Sequence, residues 1–347
     1  QIGHTISWYA PGTRFFSSPE RIAIAGVPLM THDQGKATRE EYLHYLLTIA
    51  WQFELPIHCF RRVLSIASEN KGFRISVQAR GSATEKELRC KYLILAVGDM
   101  HSPRLLGIPG EDQENVSHYL QDLHNYFRQR VVIVGARNSA VEAAIRIFRM
   151  GGNVTILYRG ADFDSSSIKY WLLPEIQSLV KNGMIRFVNH AEAYSIEGNR
   201  IFYRSVGPEP DKKSVYGAAD AAKDSLEADQ FLLLTGYRQN PSLFQMAGLE
   251  LEGTENRPRI SEATNESSVH GIYIAGTAIA GSQQRHKVFI ENSHVHVERI
   301  VADLCRKGIG NNKEETPGAH QSQPLDQSGT GSAHRLSESL TREFPES

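Results

Sequence analysis

The chain has few cysteines, no surplus of charge and no long apolar run, and each shortage removes a class of function. Its 347 residues include three cysteines, Cys59, Cys90 and Cys305. They lie far apart with no Cys-x-x-Cys pair, which excludes a metal knuckle or a vicinal redox dithiol built from this sequence. Odd, scattered cysteines suit a reducing compartment. Cys59 and Cys90 flank or belong to strands, where free cysteine acts as a small buried hydrophobe, so neither is given a catalytic role. A formal net charge of -1 offers no general attraction to nucleic acid or anionic lipid. No apolar window is long enough to span a bilayer, and Gln1-Ile2-Gly3-His4-Thr5 has neither region of a signal peptide. The expectation is a soluble, cytoplasmic protein whose partners are small molecules. The opening residues also lack a methionine and run straight into sequence typical of mid-domain, so an upstream segment is expected. After about Gly308 large apolar residues almost vanish, which predicts a disordered tail over 309–347, with a docking segment as the alternative.

What remains is ordinary globular material, 40% hydrophobic and 22% charged, and long enough for two cores. Thr38 to Phe53 places Tyr42, Tyr45, Leu46, Ile49 and Phe53 on one helical stripe, behind an N-cap at Thr38 with Glu41 three residues on. Phe73 to Val77 alternates with period two. Tyr92 to Val97 is a continuous apolar run ending at Gly98 and predicts a doubly buried parallel strand. Val131–Val134, Phe231–Leu234 and Ile272–Ala275 are similar runs, followed within two residues by Gly135, Gly236 and Gly276. Buried strands that each run into glycine predict an α/β protein with ligands at the strand C-termini.

The segment from Val131 to Ala144 is a strand, a tight turn and a helix, the context of a dinucleotide site. Gly135 permits the turn, Ala136 follows it, Asn138 or Ser139 supplies a cap, and Ala140 is small enough for close helix-strand packing. The exposed N–H groups then face a diphosphate. Arg137 departs from the glycine pattern at its second position. The next strand, Val154 to Arg159, ends in Tyr158 and Arg159, roughly 20 residues beyond the turn, where an NAD-selective site carries an acid. A guanidinium pairs with a 2′-phosphate, so Arg159 favours NADPH, with Tyr158 stacking on adenine and Arg137 as a second phosphate contact. The alternative makes Arg159 a solvated loop charge.

Ala96-Val97-Gly98-Asp99 with Gly107-Ile108-Pro109-Gly110 resembles the crossover of the class II flavoprotein disulfide reductases, which include thioredoxin reductase. Gly271 to Thr277 is similar to their strand at the flavin ribityl chain. The order of parts agrees, with a nucleotide unit set between two pieces of a FAD domain. Phe15 to Arg21, Asn138 to Glu142 and Phe289 to Asn292 resemble the YpdA-type branch, the bacillithiol disulfide reductases. The resemblance covers about residues 1–308. It implies two nested Rossmann-like domains of the three-layer ββα kind: a FAD domain in pieces 1–118 and 237–308, and an NADPH domain over 119–236. It implies FAD and NADPH as cofactors, a low-molecular-weight thiol disulfide as electron acceptor, and a homodimer. Ala96, Gly98, Gly276 and Thr277 then face the flavin and Gly236 borders the nucleotide, while Thr277 replaces the family's Asp. The family's redox cysteine and first FAD glycine motif, about thirty residues of βαβ unit, are expected upstream of Gln1.

A helix from about Arg285 through Glu298 is expected to aim its N-terminus at the flavin. Lys287 lies in its first turn, and Gln284 to His286 meet the flavin edge or, alternatively, form a polar cap. His286, His294 and His296 lack metal-pair spacing and read as structural or surface residues, so no metal is expected. Two rivals remain: a flavin monooxygenase or ferredoxin/quinone reductase, and a non-catalytic NADP(H)-binding protein.

Overall fold

The computed structural model describes residues 1–206, 223–283 and 287–309. Gln284 to His286, and the tail from 310 onward, lie outside the described residues. The first piece opens with α1 (His4–Ser7), α2 (Pro19–Ile22) and α3 (Arg39–Gln52). The start of α3 is set by a capping box: Glu41 N donates to Thr38 Oγ1 at 3.2 Å, and Thr38 N donates to Glu41 Oε2 at 2.7 Å. Tyr42, Tyr45 and Ile49 are buried with Ile6, Ile22 and Leu29. The Tyr45 hydroxyl ties the preceding loop to the helix, donating to Val27 O at 2.6 Å and accepting from Ile24 N at 2.8 Å. Phe53 departs from the expected stripe. It is the C-cap of α3, where the helical turn ends, and it is 47% exposed.

An antiparallel sheet follows, β1 (Arg61–Glu69), β2 (Gly72–Ala79) and β3 (Glu85–Cys90), with Phe73, Ile75 and Val77 of β2 buried in alternation. Then come β4 (Leu93–Leu95) and β5 (Ser102–Pro103). The run at 92–97 is parallel, as expected, but not doubly buried. Ile94 is 47% exposed, because among the described residues β4 has a single strand neighbour and only Leu95 turns fully into a core.

The middle piece contains β6 (Val116–Ser117), β7 (Arg130–Val134), α4 (Asn138–Arg149), β8 (Asn153–Leu157), α5 (Leu173–Lys181), β9 (Arg186–Val188), β10 (Ala191–Glu197), β11 (Arg200–Ser205), β12 (Lys223–Glu227) and β13 (Gln230–Leu233). A parallel sheet runs in the order β6-β13-β7-β8-β9. Helices α4 and α5 cover one face around Ile133, Ile145 and Ile156. The antiparallel meander β10-β11-β12 covers the other around Val132, Leu157 and Phe231. These are the three layers of the expected ββα arrangement. Strand β6 already pairs with β13, just ahead of the expected start of this piece at 119.

The last piece holds β14 (Tyr237–Arg238), α6 (Ser242–Met246), β15 (Leu251–Glu252), β16 (Arg257–Pro258), β17 (Ile272–Ile274) and α7 (His294–Arg306). Strand β17 pairs parallel with β4, and one core joins Phe73, Ile75 and Leu95 to Phe244, Ile272 and Ile274. First and last pieces therefore share a core, with the middle piece set between them. The chain crosses between the two cores twice, and the crossings pair as an antiparallel ribbon, Tyr237 with Pro103 and Arg238 with Ser102.

The expected helix from Arg285 begins only at His294. Side chains claim the backbone ahead of it. Gln283 Oε1 accepts from Lys287 N (2.8 Å) and Val288 N (3.0 Å), and Asn292 bridges Lys287 O and Phe289 N. Such local bonds compete with a helical ladder. By its contacts the chain divides into Gln1–Ala302 and Asp303–Ser347; in the second unit the described residues end α7, with Asp303 paired to Arg306 at 2.8 Å. No helix among the described residues is long and apolar enough to cross a membrane.

Candidate functional site

The β7-α4 turn is built around Gly135, at φ 124°. A Cβ there would fall 2.5 Å from the Leu234 carbonyl oxygen, so only glycine lets β7 and β13 approach this closely. Ala136 and Ala140 are buried beneath the turn, and Ala140 Cβ lies 3.6 Å from the position that a Gly135 Cβ would take. The expected caps are not formed. Arg137 occupies the N-cap position, extended at φ -91° and ψ -176°, and its side chain makes no cap hydrogen bond to the first turn. Asn138 is already helical, and its Oδ1 accepts instead from Lys169 N at 3.1 Å in the following loop. Ser139 is exposed. Among the described residues no side-chain cap is thus seen on the first N–H groups of α4, at the positive end of the helix, which is where an anion is stabilised.

Strand β8 delivers Tyr158 and Arg159 beside this turn. Tyr158 is half-buried, with its ring 6.4 Å from that of Phe187, which stacks in turn on Phe163 at 4.5 Å. Arg159 is exposed. Two further arginines, not singled out from the sequence, lie within electrostatic reach of this turn. Arg104 is half-buried, and its pKa is pushed down by burial first, then by the like charges of Arg238, Arg137 and Arg159, with Glu255 opposing. Arg104 and Arg238 line one cleft of about 520 Å³ with Ser102, Asn240, Glu255 and Ser282. Gly236, beyond the end of β13, holds the Arg104 backbone, its carbonyl accepting from Arg104 N at 2.9 Å. The only sequence signal for the two arginines was their position beside the glycine-bearing crossovers.

On the other core, Ala96 and Gly98 leave β4 where Gly276 and Thr277 leave β17. The two exits are tied by Ala275 N donating to Leu95 O at 3.1 Å. A Cβ on Gly98, at φ 70°, would sit 3.7 Å from Thr277 Oγ1, so the two motifs that were far apart in sequence face one another. Beneath them is a polar group that the sequence reading missed. Gln239 is 5% exposed and donates to Gly98 O (2.7 Å) and Ala278 O (3.0 Å). Buried Asp99 accepts from Gln283 Nε2 at 2.8 Å. Asp99 also acts on Tyr9, whose pKa is pushed up to about 12, chiefly by burial and then by this carboxylate. Tyr9, Trp8, Met100, His101 and Tyr237 enclose a small adjoining cavity of about 200 Å³. Lys287 is exposed in the irregular segment ahead of α7. An extended, open strand exit over buried carbonyl-bonded polar groups suits a flavin side chain, and the uncapped α4 turn with its arginines suits a phosphorylated dinucleotide.

The remaining candidates are accounted for structurally. Cys90 packs against the shared core and burial raises its thiol pKa. Cys59 is half-buried and Cys305 exposed. His294 Nε2 lies 3.1 Å from Arg21 O, and His296 is buried with its pKa lowered by burial and by Arg299.

The sequence pattern of the family described as pyridine nucleotide-disulphide oxidoreductase matches residues 1–276. Bacilliredoxin reductase Bdr of Bacillus subtilis (strain 168) is 32% identical over 88% of this chain and 88% of its own length. The structure of the bacillithiol disulfide reductase Bdr (YpdA) from Bacillus cereus superposes with a TM-score of 0.79 at 28% identity, covering 88% of this chain and 89% of that one. Thioredoxin reductase of T. acidophilum shares the fold, with a TM-score of 0.61 at 19% identity over 84% of this chain and 95% of that one. Nested cores with a glycine exit at each, and this likeness along most of the sequence, lead to one conclusion: the chain belongs to the pyridine nucleotide-disulphide oxidoreductase family, as a thiol-disulfide flavin oxidoreductase with FAD and NADPH for cofactors.

Proposed function

We propose that this chain reduces a low-molecular-weight thiol disulfide of the bacillithiol type at the expense of NADPH, as a cytoplasmic homodimer. The carrying observation is the likeness to the two Bacillus reductases over nearly nine-tenths of the chain, which includes both glycine exits. The division of labour follows the two cores, with 1–118 and 237–308 serving the flavin and 119–236 the nucleotide. Gly135, Ala136, Arg137, Asn138, Ser139 and Ala140 hold the nucleotide diphosphate against α4. Arg159 holds the 2′-phosphate, Tyr158 supports the adenine, and Gly236 borders the nucleotide where β13 ends. Ala96, Gly98, Gly276 and Thr277 bind the flavin's ribityl side, the Thr277 hydroxyl acting without the charge assistance of an acid. Lys287 lies at the flavin's edge; His286, proposed with it, is outside the described residues. When bound, FAD supplies the electron transfer between nicotinamide and acceptor. The chain's own residues orient the two cofactors and keep buried Asp99 and Gln239, with half-buried Gln283, fixed below the flavin's place.

The test is anaerobic spectroscopy of the FAD-loaded protein. NADPH bleaches the visible flavin band much faster than NADH, and bacillithiol disulfide restores it. Restoration by ferredoxin or a quinone but not by disulfides would overturn the substrate, and absence of any flavin binding would leave a nucleotide-binding protein.

A further inference from the structure

Two of the four converging arginines have no part in the reading above. Arg104 and Arg238 sit on the β5-β14 ribbon, the paired crossings between the two cores. Their backbones are held firmly. Arg238 lies in register with Ser102, Arg104 N donates to Gly236 O at 2.9 Å, and Thr235 Oγ1 donates to Arg104 O at 2.5 Å. Arg104 Nε is buried and has no hydrogen-bond partner among the described residues, an unmet donor in the cleft that it shares with Arg238. Arg137 in the β7-α4 turn and Arg159 at the end of β8 are near enough to act electrostatically on Arg104. Glu255 is the carboxylate that opposes them. Gathering like charges in a partly dry cleft is unfavourable, and leaving a donor unmet adds to it; an anion removes both costs.

The backbone indicates which anion. Leu234 O stands against the Gly135 turn, 2.5 Å from where a Cβ would lie, and the next residue, Thr235, donates through its Oγ1 to Arg104 O at 2.5 Å. The ribbon arginines therefore stand beside the glycine turn, the proposed place of the diphosphate. We propose that Arg104 and Arg238 clamp the diphosphate of the bound nucleotide from the ribbon, opposite the N-terminus of α4, leaving Arg159 to read the 2′-phosphate. This rests on the NADPH reading given above. Because the ribbon joins the cores, a diphosphate held between it and α4 also braces the nucleotide unit against the flavin unit.

The experiment measures binding of NADP⁺, NAD⁺ and adenosine 2′-phosphate to FAD-loaded protein, for the parent and for Arg104→Gln, Arg238→Gln and Arg159→Gln. The ribbon variants weaken NADP⁺ and NAD⁺ alike, by about tenfold each for one lost charge-assisted contact, and flatten the salt dependence. Their affinity for adenosine 2′-phosphate, which has no diphosphate, is unchanged. Arg159→Gln instead lowers adenosine 2′-phosphate and NADP⁺ binding and spares NAD⁺. Unchanged nucleotide affinity in both ribbon variants overturns the clamp while Arg159→Gln still upholds the NADPH reading. Loss confined to NADP⁺ overturns the diphosphate assignment. A parent protein that binds neither dinucleotide overturns both readings. Arg238 is exposed, so its variant tests the clamp even where Arg104→Gln disturbs folding.

Discussion

A methyl group decides the β7-α4 turn. At Gly135 the obstacle to a Cβ is the Leu234 backbone oxygen, which cannot rotate away, and the positive φ adds strain. Gly135→Ala is expected to cost about 2–4 kcal/mol and to abolish NADP⁺ binding, read by denaturant unfolding and nucleotide titration. Gly236 is the control: its φ is 99° but nothing lies within 4 Å of an added Cβ, so Gly236→Ala costs only about 1–2 kcal/mol. Tyr42 carries a pH dependence. Burial pushes its pKa up to about 12 in the folded protein, and its hydroxyl donates to Ile22 O at 3.1 Å. The unfolded chain loses this proton near the ordinary tyrosine value while the folded one keeps it, so the stabilisation is complete below about pH 10 and is lost as pH rises toward 12. Tyr42→Phe should therefore be about 1 kcal/mol less stable at pH 7 yet lose less of its stability between pH 10 and 12 than the parent. Equal alkaline losses in thermal melts would contradict this.

Elements differ in how much of themselves they announce. Helix α3 was legible because its start and its buried face are both local: Thr38 and Glu41 close a box, and Tyr42, Tyr45 and Ile49 repeat at helical spacing. Removing the cap with Thr38→Ala should lower stability by about 1 kcal/mol without changing nucleotide affinity. The start of α7 was illegible because Gln283 and Asn292 side chains take the backbone groups that a helix would need. The uncapped α4 was misread for a related reason, since Asn138 serves a distant backbone, that of Lys169. Lys169 also bridges Glu142 Oε2 (2.9 Å) and Arg14 O (3.0 Å), with its side chain only 10% exposed. Lys169→Met leaves Glu142 to Arg146 alone at 3.9 Å and should cost about 3 kcal/mol, with faster amide exchange around Arg14.

On the scale of the whole molecule, nucleotide binding should register as stability. NADP⁺ at about 100 times its Kd stabilises the folded protein by about 2.7 kcal/mol, and NAD⁺ at the same concentration by clearly less. Equal shifts in melting temperature would remove Arg159 from cofactor choice. The α/β class, the glycine-ended strands and the strand-turn-helix at Gly135 were all set by the sequence itself, because hydrophobic period and the need for positive φ are local properties of the chain. Only the tertiary structure brought Arg104 and Arg238 to face Arg137 and Arg159, placed Asp99 under Gln283, and left Ile94 of an apolar strand exposed. Those outcomes depend on which distant segments pair across the ribbon and the two sheets, and register over such separations is decided by packing rather than by any residue's own neighbours along the chain.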